Sequence, residues 1–106
     1  MRSLAVVLLV AVVPLAWADD PTFEITLKDH RFSPAEISVP SNTKVKLVVK
    51  NDDATAAEFE SRKLNREKVI AGKSQATIFV GPLKPGEYDF YDEYHEKSAT
   101  GKLVAK

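Results

Sequence analysis

Lys84-Pro85-Gly86-Glu87-Tyr88-Asp89-Phe90-Tyr91-Asp92-Glu93-Tyr94-His95-Glu96 holds the pattern on which the fold turns. It opens with a Pro-Gly turn signal and runs into alternating aromatic and acidic residues, the period-two signature of a half-buried strand. Tyr88, Phe90 and Asp92 share one face by alternation, so if the two aromatics enter the core, Asp92 stands at its end. A carboxylate placed there needs a compensating partner. His95 lies three residues on, past the strand end, and the spacing Asp92-x-x-His95 suits a loop that offers two ligands to one ion.

The same period recurs along the chain. Phe23 to Leu27 alternates with Glu24 and Thr26, and Val45, Leu47 and Val49 alternate with Lys44, Lys46 and Lys50. Further strands are expected at 36–39, 57–61, 68–70, 74–80, 87–92 and 102–105. Turn clusters separate them: Pro40-Ser41-Asn42, Asn51-Asp52-Asp53 and Lys84-Pro85-Gly86. Many short strands divided by turns predict an all-β sandwich or barrel. The only helical expectation is one short turn over 62–66. There is no internal repeat, low-complexity tract or linker.

Upstream, Met1-Arg2-Ser3 is followed by an apolar run from Leu4 to Val13, then Pro14 and Ala16-Trp17-Ala18 before two aspartates. This is the charged, apolar and small-residue order of a secretory signal peptide, with cleavage expected after Ala18. The run falls short of the roughly 20 apolar residues of a membrane span, so a retained anchor is not expected. The expected organisation is a signal peptide, 1–18, and one domain, 19–106. That domain would have 88 residues, enough for a single modest core. Export leads to an oxidising compartment, yet the chain has no cysteine, so packing must hold the fold.

Charge and motifs exclude several classes of function. Lysines and arginines balance acids at 15 each, and loss of Arg2 with the leader would leave a net charge of −1. Neither nucleic acid nor a membrane surface is an expected partner. No Gly-x-Ser-x-Gly elbow and no glycine-rich phosphate loop is present, with glycine only at 72, 81, 86 and 101. Any chemistry would belong to a metal.

The segments Phe32-Ser33-Pro34, Ile37-Ser38-Val39-Pro40, Val49-Lys50-Asn51 and 81–91, closed by Tyr-x-Phe-Tyr, a ligand position, two residues and a histidine, resemble the cupredoxins. The resemblance covers nearly all of 19–106 and implies a Greek-key β-sandwich. In blue-copper members the ligands are a histidine soon after the Asn-Asp turn and a cysteine, a histidine and a methionine from the closing loop. Here those positions fall at Glu58, Asp92, His95 and near Ala99, so only the histidine is kept. Without the thiolate, blue-copper electron transfer does not carry over with the fold.

Glu58-Phe59-Glu60-Ser61, Arg66-Glu67-Lys68 and Asp92-Glu93-Tyr94-His95 also resemble the cupredoxin-like periplasmic components of bacterial iron-uptake systems. That resemblance implies a periplasmic protein binding iron or copper. Its implied partners are an inner-membrane iron permease and an associated periplasmic iron-binding protein. Assistance in oxidising Fe(II) stays open, and with it whether the protein is an enzyme. The implied metal ligands are Glu58, Glu60, Asp92, Glu93 and His95, with Glu67 a weaker candidate and His30 weaker still. Carboxylate and imidazole suit iron, manganese, zinc or Cu(II) better than Cu(I).

Blander readings stand beside these. Strand alternation alone would point Glu58 and Glu60 to solvent around a buried Phe59. A histidine in a loop is commonly solvated or structural. The alternative functions are a metal-free accessory module of a membrane complex and a periplasmic copper-handling protein.

Overall fold

The computed structural model describes residues 20–106, and the expected signal peptide, 1–18, lies outside the described residues. Among the described residues, nine strands form two sheets: β1 (Thr22–Lys28), β2 (Arg31–Ser33), β3 (Glu36–Val39), β4 (Val45–Asn51), β5 (Ala57–Ser61), β6 (Arg66–Ile70), β7 (Ser74–Val80), β8 (Gly86–Asp92) and β9 (Thr100–Ala105). One 3-10 turn, Glu93–His95, follows β8. No helix among the described residues is long and apolar enough to cross a membrane.

The first sheet runs β2-β1-β4-β7 and the second β3-β9-β8-β5-β6. Two strand pairs are parallel, β1 with β4 and β3 with β9, so the chain crosses between layers to complete each sheet. The alternation read in the sequence sets the interior. Ile25, Leu27, Val45, Leu47, Val49, Ile78 and Val80 face inward from the first sheet, and Val39, Phe59, Phe90, Leu103 and Ala105 from the second. Phe32, Phe59 and Phe90 pack as an aromatic trio, with Phe90 edge-on to Phe32 at 5.1 Å and stacked on Phe59 at 5.2 Å. Full burial of one such ring contributes about 1.5–3 kcal/mol, a large share for a core closed without disulfides.

The expected all-β sandwich is what the chain forms. Two local differences have simple causes. Strand β2 has three residues, too few to display a period, and owes its existence to pairing with β1 through Leu27 and Phe32. Residues 62–65 form a hairpin turn rather than a helical one, because β5 and β6 are antiparallel partners in register from Ala57↔Ile70 to Ser61↔Arg66. Ser61 closes that turn by accepting from the Leu64 amide at 3.1 Å, and Asn65 adopts a left-handed φ of 53°.

At the end of the sandwich where β5 begins and β8 ends, buried Asn51 organises the loops. Its Nδ2 donates to the carbonyls of Thr55 at 2.8 Å and Ile70 at 3.1 Å, and its Oδ1 accepts from the Asp53 amide. The Asn-Asp turn seen in the sequence is thus a bolt between β4, the start of β5 and the end of β6.

Candidate metal centre

The pleat of β5 distributes the candidate residues. Phe59 enters the core, so Glu58 and Glu60 leave the opposite face. Glu60 lies directly across from Glu67 of β6, and Glu58 across from Val69. The 3-10 turn after β8 folds against this outer face and adds Glu93. One carboxylate oxygen from each of Glu58, Glu60, Glu67 and Glu93 falls within 4.8 Å of the others.

Covered by the turn, Glu58 is only 7% exposed, so it does not point to solvent as simple alternation suggested. Glu60 Oε2 is buried with no hydrogen-bond partner, an unusual state for a carboxylate oxygen. A cavity of about 170 Å³ opens beside the cluster, bounded by Glu60, Glu67 and the β5–β6 turn. A larger and more open cleft of about 690 Å³ lies against β8 and β9, with Tyr91, Thr100 and Lys102 among its walls, and includes none of the four carboxylates.

Four acids this close cannot all ionise freely, and protons divide unequally among them. Glu93 is pushed up to about 7, chiefly by its hydrogen bonds to Glu60 and then Glu58, whose charges it also meets. Glu67 is raised, first by its hydrogen bond to Glu58 and then by the charges of Glu58 and Glu60. Glu58 is lowered because Glu67, Glu93 and Tyr94 all donate to it, the Glu67 bond being the largest influence, while desolvation opposes them. Tyr94 is raised by partial desolvation beside the cluster and by the Glu58 charge. Protonation of Glu93 and Glu67 would relieve part of the repulsion among these acids.

Asp92 and His95 occupy a separate arrangement behind this cluster. Asp92 stands across from Phe59, on the inner face of the sheet, and is fully buried. Its Oδ1 accepts from the Glu58 amide at 2.9 Å and the Tyr94 amide at 3.0 Å, and its Oδ2 faces His95 Nδ1 at 3.2 Å. The Asp-x-x-His spacing makes the two residues partners of each other. Asp92 thereby caps the 3-10 turn and fixes the Glu58 backbone, tying the inner arrangement to the outer cluster.

The His95 ring stacks on His30 at 3.6 Å between centroids, 14° from parallel. An imidazole nitrogen binds a metal in its own ring plane, so two rings stacked this way cannot both ligate one ion without separating. Glu58, Glu60 and Glu93 of the five sequence candidates are brought together, with Glu67 as their fourth member. The sequence signal for Glu67 was its place in Arg66-Glu67-Lys68, but its position opposite Glu60 depends on the β5–β6 register. Asp53, missed at the sequence level, holds the loop of His30 and had only a turn signal.

The donor set sorts between possible metals. Four carboxylates suit hard ions, and oxygens on opposite sides of an ion bound at about 2.1–2.4 Å are about 4.2–4.8 Å apart, a span the cluster reaches with little contraction. A blue-copper centre does not fit, since the chain has no cysteine and its one methionine is Met1.

Comparison with known proteins places this architecture. Residues 2–105 match the family model of the cupredoxin-like domain. An uncharacterized protein of Rickettsia prowazekii is 41% identical over 81 residues, 76% of this chain, and the chain spans 65% of that relative's length. Auracyanin A, a blue copper protein from Chloroflexus aurantiacus, superimposes with a TM-score of 0.70 at 15% identity, over 83% of this chain and all of that one. The metal-binding domain of the Cu(I)-exporting ATPase CopA of Streptococcus pneumoniae, solved with Cu(I), gives 0.68 at 14% identity over 80% and 84%. At such identities the structural likenesses speak for the fold alone. With the family model spanning nearly the whole sequence and the two-sheet sandwich in agreement, the chain belongs to the cupredoxin-like domain family.

Proposed function

We propose that this is an exported metal-binding protein that holds one hard cation, iron or Cu(II), between Glu58, Glu60, Glu67 and Glu93. The observation that carries the reading is the meeting of four carboxylates within 4.8 Å around a buried Glu60 oxygen that has no partner. A cation would take the place of the protons that Glu93 and Glu67 now share with their neighbours, and would remove the mutual repulsion. Asp92 and His95 stand behind the ligands, holding the Glu58 backbone and the turn that carries Glu93.

Within that reading, we assign the protein to iron acquisition in the periplasm, delivered there by residues 1–18. The support is the chemistry of the donors together with the sequence likeness to periplasmic iron-uptake components. All-oxygen ligation with net negative charge favours Fe(III) over Fe(II), which suits a protein that receives iron and passes it to an inner-membrane permease. Copper handling is the second reading, favoured by the structural neighbours that carry copper. It is restricted to Cu(II) by the absence of thiol and thioether donors.

Titration of purified, leaderless protein with Mn(II), Zn(II), Cu(II) and Fe(III) nitrilotriacetate tests the proposal. Binding at one ion per chain is expected, lost in a Glu58→Gln, Glu93→Gln double variant that keeps its β-sheet circular dichroism. Absence of stoichiometric binding by any of the four would leave the metal-free accessory module as the reading. Retention of affinity in the double variant would put the site elsewhere.

A further inference from the structure

The loop between β1 and β2 is a two-residue hairpin turn, Asp29-His30. Asp29 and His30 are consecutive non-glycine residues in the left-handed region, with φ of 51° and 57°. Left-handed backbone at both central positions is what a two-residue antiparallel hairpin favours. Asp53 braces the turn, accepting from the Asp29 amide at 2.7 Å and the His30 amide at 3.0 Å, while His30 Nδ1 sits 3.5 Å from the same carboxylate. The turn returns the chain into β2, whose Phe32 enters the core, and it leaves a partly exposed imidazole laid flat on the face of His95.

From there the contacts run on without a gap. His95 faces Asp92 through Nδ1, and Asp92 holds the amides of Glu58 and Tyr94. Those amides flank two of the four carboxylates, since Tyr94 follows Glu93 in the turn. Three segments distant in sequence, the β1–β2 loop, the Asn51–Asp53 turn and the β8–β9 loop, thus meet at one stack.

We infer that His30, set by Asp53, is a positioning residue: by clamping His95 it fixes Asp92 and so the separation of the Glu58 and Glu93 carboxylates. The clamp is stacking between two rings, each with its Nδ1 beside a carboxylate, and any flat ring at position 30 can supply it. Its bearing on a metal rests on the centre proposed above. Its bearing on the Glu58 and Tyr94 amides does not.

The test uses leaderless protein carrying His30→Ala or His30→Phe, with Mn(II) as the probe and hydrogen exchange followed amide by amide on metal-free samples. In His30→Ala the Glu58 and Tyr94 amides should exchange about tenfold faster, while the core amide of Leu47 is unchanged. The Mn(II) dissociation constant should rise about tenfold, the scale on which residues behind metal ligands act. His30→Phe should stay within about threefold of wild type in both. Unchanged exchange at Glu58 and Tyr94 in His30→Ala, or acceleration shared equally by Leu47, overturns the inference. If wild-type protein binds no Mn(II) and none of the other ions, the centre is refuted and the exchange data alone decide the clamp.

Discussion

Metal binding at a carboxylate cluster that shares protons must be coupled to pH, and the structure sets the size of the coupling. Glu93 is pushed up to about 7 by its hydrogen bonds to Glu60 and Glu58, so a cation that ligates it displaces its proton. The protein should release about nine-tenths of a proton from Glu93 at pH 6, about half at pH 7 and about one-tenth at pH 8. The sign follows directly: the proton competes with the metal, so affinity falls as pH falls. Between pH 8 and pH 6 the apparent dissociation constant for Mn(II) should rise about tenfold. Glu67, also raised, adds to the loss in the same direction toward lower pH. Calorimetric titration at each pH in two buffers of different ionisation heat gives both the affinity and the protons released. An affinity equal at pH 6 and pH 8, with no proton release at pH 6, would refute the shared-proton account of the cluster.

The same groups make the metal-free fold sensitive to pH. Because the folded chain raises Glu93 above its ordinary 4.5, it binds more protons than the unfolded chain, and this contribution to stability falls as pH rises from about 4.5 to 7. Glu58, lowered, acts oppositely, its contribution being present at higher pH and lost as pH falls through its folded value. Glu93→Gln should therefore raise the Tm of metal-free protein at pH 8 while weakening Mn(II) binding, and thermal melts with and without the ion check both. Asp92→Ala leaves the buried Glu58 amide without its acceptor and should cost about 1–3 kcal/mol in urea unfolding, more if the 3-10 turn frays. Gly101→Ala would drive a Cβ into the Phe90 ring and to 3.0 Å from the Ala35 carbonyl, and should cost about 1–3 kcal/mol by the same assay.

The fold was legible because its strands carry their own evidence. Period-two alternation at 23–27, 45–49 and 87–92, cut by proline, glycine and asparagine turns, needs no partner strand to be recognised. Strand β2 lacked that evidence, since three residues show no period and its pairing with β1 is a tertiary fact. Side-chain grouping was legible only in part for the same reason. Alternation correctly puts Asp92 in line with Phe90, but whether Asp92 and Glu58 share a face depends on the Phe59↔Asp92 register, which is set between strands. Once that register is known, the pleat separates them: Asp92 goes inward with Phe59, and Glu58 goes outward with Glu60.

That separation explains how the cupredoxin frame can carry a hard-ligand centre. The frame offers an inward position at the end of β8, and here a carboxylate fills it, fully buried and occupied by two amides and a histidine. An anion so satisfied has little left to offer a cation. It does, however, hold the outer face in register, because the amide it accepts from is that of Glu58. With a carboxylate at the inner position, the end-of-strand residue serves as a support, and the acids gathered on the outer face of the sheet are the place where a cation would relieve most repulsion. Inner and outer positions should therefore respond differently to substitution. Asp92→Asn should lower stability and metal affinity together, whereas Glu60→Gln should lower affinity while leaving the urea midpoint nearly unchanged. Equal loss of stability in the two variants would show that the outer carboxylates, too, serve only the fold.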